Sequence, residues 1–152
     1  MLDEIITNKI LVIPISAWAL SQILKVFVST VRRRRLDLWI LARGGGMPSS
    51  HTALVCALAT VVAITQGFGS VFFAITVILA MVVMYDAAGV RQAVGRQSFI
   101  LNRIVKELMD KRPRGEVERD LREFIGHTPF QVIIGAALGI FIAWLWLALS
   151  GV

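Results

Sequence analysis

Four long apolar runs, set apart by polar and strongly basic segments, dominate the pattern of this chain. They extend from about Ile10 to Val31, Pro48 to Thr65, Ser70 to Val90 and Pro129 to Leu149. Each approaches the roughly 20 residues that a helix needs to cross a bilayer, and the second is the shortest. Gln66-Gly67-Phe68-Gly69 reads as a tight turn joining the second and third. Between the third and fourth, Leu101, Ile104, Val105, Leu108 and Met109 recur at helical spacing, predicting an amphipathic helix from Ser98 to Asp110. Lys111-Arg112-Pro113-Arg114-Gly115 breaks it, and a second amphipathic piece carries Val117, Leu121, Phe124 and Ile125. The expected architecture is all-α: a polytopic membrane bundle of about four transmembrane helices. The two amphipathic pieces pack on it or lie in the interface, and residues 1–152 form a single domain.

Composition sharpens this picture. Apolar residues make up 57% of the chain, and the mean hydropathy is +0.74. A soluble core of 152 residues could not hide that much apolar surface, so lipid must cover part of it. The formal net charge is nevertheless +6, and the basic residues are segregated. Five lie between Arg32 and Met47 and nine between Arg91 and His127, so fourteen of the sixteen fall in two segments. With four spans, both segments share one membrane face, and the positive-inside rule assigns that face to the cytoplasm and both termini to the outside. Such a surface suits anionic headgroups and phosphorylated ligands, and nucleic acid is not an expected partner. The single cysteine, Cys56, permits neither an internal disulfide nor a cysteine-based metal site. The N-terminus lacks the basic start and small-residue cleavage site of a signal peptide, so the first run is expected to remain as an anchor.

Several residues could carry chemistry. Lys25 sits inside the first run, where a charge either faces the bundle interior or snorkels to the interface. Arg32 follows seven residues later, two helical turns on. Gly44-Gly45-Gly46-Met47-Pro48-Ser49-Ser50-His51-Thr52 joins a permissive backbone to a helix start, with Ser49 or Ser50 as cap. Free amides there suit an anion, and His51 can give or take a proton near neutral pH. The same stretch could equally be a capped turn. Asp86 closes the third run five residues before Arg91, either paired with a cation such as Lys25 or taking part in catalysis. His127 opens the fourth run, as a cap or as a second reactive imidazole. Gly135, Ala136 and Gly139 form a small-residue face for close helix packing. Given four spans, Arg32, Ser49, Ser50, His51, Asp86, Arg91 and His127 converge on one face, a constellation suited to phosphate.

Three motifs in order carry a resemblance: Gly45-Gly46-Met47-Pro48-Ser49-Ser50-His51-Thr52, Tyr85-Asp86-Ala87-Ala88-Gly89-Val90-Arg91 and Gly126-His127-Thr128-Pro129. Together they resemble the divergent branch of the type 2 phosphatidic acid phosphatase superfamily, over nearly the whole chain. The resemblance implies metal-independent hydrolysis of a lipid-linked phosphate or diphosphate, with no cofactor and a phosphorylated membrane lipid as substrate. It casts His127 as nucleophile, His51 as the acid for the leaving group, and Lys25 and Arg32 as phosphate ligands; Arg91 would substitute for a family arginine missing here, and Ser49 and Ser50 add phosphate-binding groups at the helix start. Departures are visible as well. Arg33 stands where the superfamily has proline, Ser50 replaces a glycine, and Leu121 lies where an arginine is usual, with Arg122 one residue off. Gln131 occupies the place of the aspartate that orients the nucleophile; it can hydrogen-bond an imidazole but cannot neutralise an imidazolium. Asp86 is the candidate to supply that charge. The superfamily's ordinary fold has about six core helices, so the cytoplasmic helices or a second copy of the chain, in a homo-oligomer, would have to complete it. The alternative reading is a non-catalytic membrane protein that binds anionic headgroups or scaffolds partners.

Overall fold

In the computed structural model of the chain, helices and turns account for the regular structure, with no strand among the described residues. Those residues are 2–34, 36, 41, 46–90, 93–94, 97–101, 104 and 127–151. A short helix α1 (Leu2–Thr7) precedes α2 (Lys9–Arg33), whose first turn is capped by Asn8 accepting from the Ile10 amide at 3.0 Å. Helix α3 runs Ser50–Gln66 and stops at Gly67, whose φ of +85° suits glycine. Ser70 then caps α4 (Val71–Tyr85), which continues as one π-helical turn, Asp86–Val90. Helix α5 spans Pro129–Leu149. The four apolar runs therefore become α2, α3, α4 with its π turn, and α5, within two residues of the expected bounds.

Among the described residues, three segments are long and apolar enough to cross a membrane: Lys9–Arg32, Val71–Val90 and Pro129–Leu149. Helix α3 has 17 residues, about 26 Å of rise against a hydrocarbon core of about 30 Å. It can be short because protein surrounds it. It contacts α2, α4 and α5, and buries Ala53, Val55, Cys56, Ala57, Val61, Val62 and Ala63. Helix α4 is the opposite case, with Ala80 its one buried residue and Phe72, Ile75, Ile78, Met81 and Val82 exposed. That face needs lipid against it.

The main core shows how the helices run. Ile13 and Ala17, early in α2, cluster with Ala57 and Val61 in the second half of α3 and with Ile142, Ala143 and Leu147 late in α5. Helices α2 and α3 are thus antiparallel, and α3 and α5 parallel. A Cβ on Gly135 would lie 2.5 Å from the Ser49 carbonyl oxygen, and one on Gly139 would overlap the Ala53 carbonyl. The small-residue face of α5 is therefore what brings its backbone against α3, in register, turn by turn. As a result the N-termini of α3 and α5 and the C-termini of α2 and α4 share one end of the bundle.

Residues 97–101 and 104 are helical, in keeping with the first amphipathic helix. The rest of that helix, the second amphipathic piece, Arg91 and Arg122 lie outside the described residues.

Candidate functional site

The shared end is built on the inward face of α2. Ser21, Lys25 and Ser29, spaced four apart, are 0%, 3% and 6% exposed. Lys25 thus faces the interior rather than snorkelling, and α2 continues about 12 Å beyond it. The chain returns at Gly46 to lie on the lysine. A Cβ at Gly46 would meet Lys25 Cε at 3.0 Å and Cγ at 3.1 Å, and its φ is +108°. Close approach and backbone conformation both require glycine there.

After the cis Met47–Pro48 bond, the Ser49 amide donates to the Gln131 carbonyl at 3.3 Å, joining the start of α3 to the start of α5. Ser49 is the N-cap of α3 by backbone conformation, but its hydroxyl does not cap. It pairs with Thr52 Oγ1 at 2.9 Å, because the backbone of α5 closes over it and leaves Thr52 as the neighbour within reach. Ser49, Ser50 and Thr52 are all fully buried. His51, between them, is exposed on the first turn.

His127 is 1% exposed, just before α5. Thr128 is the cap of that helix: its hydroxyl accepts from the Gln131 amide at 3.4 Å, and its own amide donates to Gln131 Oε1 at 3.1 Å. This reciprocal capping box has a chemical consequence. A backbone amide can only donate, so the Gln131 atom facing it is the carbonyl oxygen. The same oxygen lies 3.2 Å from His127 Nδ1. Nδ1 must then carry the proton, which in the neutral ring leaves the lone pair on Nε2. Burial holds the imidazole below its ordinary pKa; the Gln131 hydrogen bond acts against this, and the charges of Lys25 and His51 add to it. The Gly46 backbone favours the charged form. The neutral ring is therefore the favoured state near neutral pH.

The expected residues divide accordingly. Lys25, Ser49, Ser50, His51 and His127 come together with Gly46 and Gln131. Arg32 is exposed two turns beyond Lys25, and Asp86 is half-buried where the π turn begins. The side-chain charges that act on His127 among the described residues are those of Lys25 and His51. Among the described residues, no group of three or more His, Cys, Asp or Glu is placed to hold a metal ion. Gly46 and Thr52 had drawn notice only as members of the loop. The hydrogen bond from His127 to Gln131 agrees with the expectation for that position, while the capping role of Gln131 is signalled by the Thr-x-x-Gln pattern of Thr128-Pro129-Phe130-Gln131.

Fold and site define a class: a polytopic membrane protein whose helix ends gather a buried lysine, a buried histidine and an exposed histidine. The model of the divergent PAP2 family matches residues 6–142, and the chain belongs to that family. It is also 38% identical over 146 residues to the uncharacterized membrane protein YuiD of Bacillus subtilis (strain 168), covering 90% of this chain and 92% of that protein. No solved structure matches it.

Proposed function

We propose that the protein hydrolyses a lipid-linked phosphate monoester or diphosphate through a phosphohistidine at His127. The observation that carries this reading is the doubly used Gln131 oxygen, which sets the His127 tautomer while burial keeps the ring neutral. The Nε2 lone pair attacks phosphorus, the bond to the leaving-group oxygen breaks, and a protonated His51 gives its proton to that oxygen. Water then attacks the phosphohistidine, with His51 taking the water's proton, and free phosphate and His127 are regenerated. Lys25, with Arg32 and Arg91, neutralises the phosphoryl oxygens, and Ser49 and Ser50 line the start of α3 behind them. No metal is required in this scheme.

The segregation of fourteen basic residues supports placing the site on the cytoplasmic side. The depth of Lys25 below the end of α2 supports a substrate presented from the membrane. A second reading rests on the neutrality of Gln131, which leaves a developing imidazolium without a countercharge: the site then binds anionic headgroups without turning them over. The purified protein in detergent, given a panel of lipid phosphates and diphosphates, should release inorganic phosphate from at least one. A wild type that binds vanadate yet hydrolyses none of the panel favours the second reading.

A further inference from the structure

Ser29 lies one helical turn beyond Lys25 on the same face of α2 and is 6% exposed. Its hydroxyl has no hydrogen-bond partner among the described residues. That is anomalous within this bundle. The hydroxyls of Ser16, Ser21, Thr60, Thr65 and Thr76 each donate to a carbonyl three or four residues back in their own helix. This is the usual resting place for a hydroxyl in an apolar helix. Ser29 leaves it unused, although leaving a buried hydroxyl unmatched is unfavourable. Among the described residues, two other buried side-chain oxygens lack partners, Gln22 Oε1 and Thr30 Oγ1. Both line a groove on α2 with Ile23, Val26, Phe27, Leu36 and Leu41, and both residues are only partly buried. Ser29 alone of the three belongs to the buried face that carries Lys25.

Direction adds to position. Side chains on an α-helix tilt toward its N-terminus, so the Ser29 side chain leans back toward the level of Lys25. It stands between the buried lysine and Arg32 at the mouth.

We infer that Ser29 is a binding residue of the anion site, its Oγ–H donating to a phosphoryl oxygen held by Lys25. This rests on the phosphate reading above and adds to it a neutral donor that the expected lysine–arginine spacing does not include.

The test titrates orthovanadate and a short-chain phosphatidic acid into the purified wild type, Ser29→Ala and Ser29→Thr, and records melting temperatures without ligand. A hydrogen bond to a charged group predicts that Ser29→Ala weakens both ligands by about 10- to 100-fold. Ser29→Thr should keep most of the affinity. Without ligand, Ser29→Ala should melt at or above the wild-type temperature, because it removes an unmatched hydroxyl. Unchanged affinity in Ser29→Ala would overturn the proposal, and so would a lower melting temperature, which would reveal a structural partner. A loss confined to the lipid would also overturn it, since the contact would then be to the glycerol and not to the phosphoryl group. Failure of the wild type to bind either ligand would bring down the phosphate reading itself, an outcome distinct from a silent Ser29→Ala.

Discussion

At the scale of single residues, one side chain sets the tautomer of the buried imidazole. Gln131 links helix capping to the state of the His127 ring, because the oxygen that accepts from the Thr128 amide also accepts from His127 Nδ1–H. Its identity was legible in the sequence, but its double use was not, since that depends on the ring turning back over the first turn of α5. Replacing Gln131 with Glu keeps the shape and adds a negative charge, which favours imidazolium. The His127 pKa should therefore rise in Gln131→Glu, read by NMR of the ring, and the acid limb of kcat/KM should move to higher pH. Gln131→Leu loses the tautomer control as well, and turnover should fall on the order of 100- to 10,000-fold. Stability follows the same linkage. With the folded pKa of His127 depressed, the unfolded chain binds the proton more readily. The contribution of His127 is then complete above about pH 6.5 and is lost as pH falls through the folded value. Thermal melts of wild type should show this acid-side loss, and His127→Asn should show less of it. A pKa unmoved in Gln131→Glu would mean that the 3.2 Å contact is not made in solution.

At the scale of helices, the sequence was most informative where lipid dictates composition. The bounds of all four apolar segments follow from the need to keep unburied charge out of the hydrocarbon, and α2, α4 with its π turn, and α5 are long enough to span it. Helix α3 was the hardest to place because its shortness is explained by neighbours that a linear pattern does not display. Its seat depends on Gly135 and Gly139, whose spacing announced close packing but not which partner it was for. A methyl group at Gly139 would strike the Ala53 backbone, which cannot swing aside as a flexible side chain can. Gly139→Ala should thus destabilise the bundle by about 1–3 kcal/mol, measured by thermal or denaturant unfolding in detergent. It should also loosen the Ser49–Gln131 junction and reduce anion binding. Gly69→Ala, at a position with nothing within 4 Å, is the matched control and should be neutral. Equal melting of the two variants would contradict the parallel α3–α5 seat. The polar stripe of α2 was half legible: Lys25 and Arg32 stood out by charge, while Ser29 gave no signal until its burial and unmatched hydroxyl were visible.

At the scale of the whole molecule, the segregation of charge and the convergence of helix ends describe one asymmetry. The end that collects Lys25, His51 and His127 is flanked by the two basic segments, and the Gln66–Gly69 turn carries no charge. In a Cys56→Ala background, a cysteine at Gly69 should react with an impermeant thiol reagent in intact cells, and one at Arg34 should be protected. The reverse pattern would put the site on the outer face and change the source of its substrate. The proposed chemistry turns on His127 receiving the phosphoryl group. Its most direct measurement is rapid acid-free quenching of the purified protein during turnover of a phosphate-labelled lipid, followed by peptide mapping of the protein-bound label. Label should lie on His127, stable to alkali and lost in acid, absent from His127→Ala, and longer-lived when His51→Ala slows attack by water. Turnover that persists in His127→Ala, or label that maps elsewhere, would contradict it.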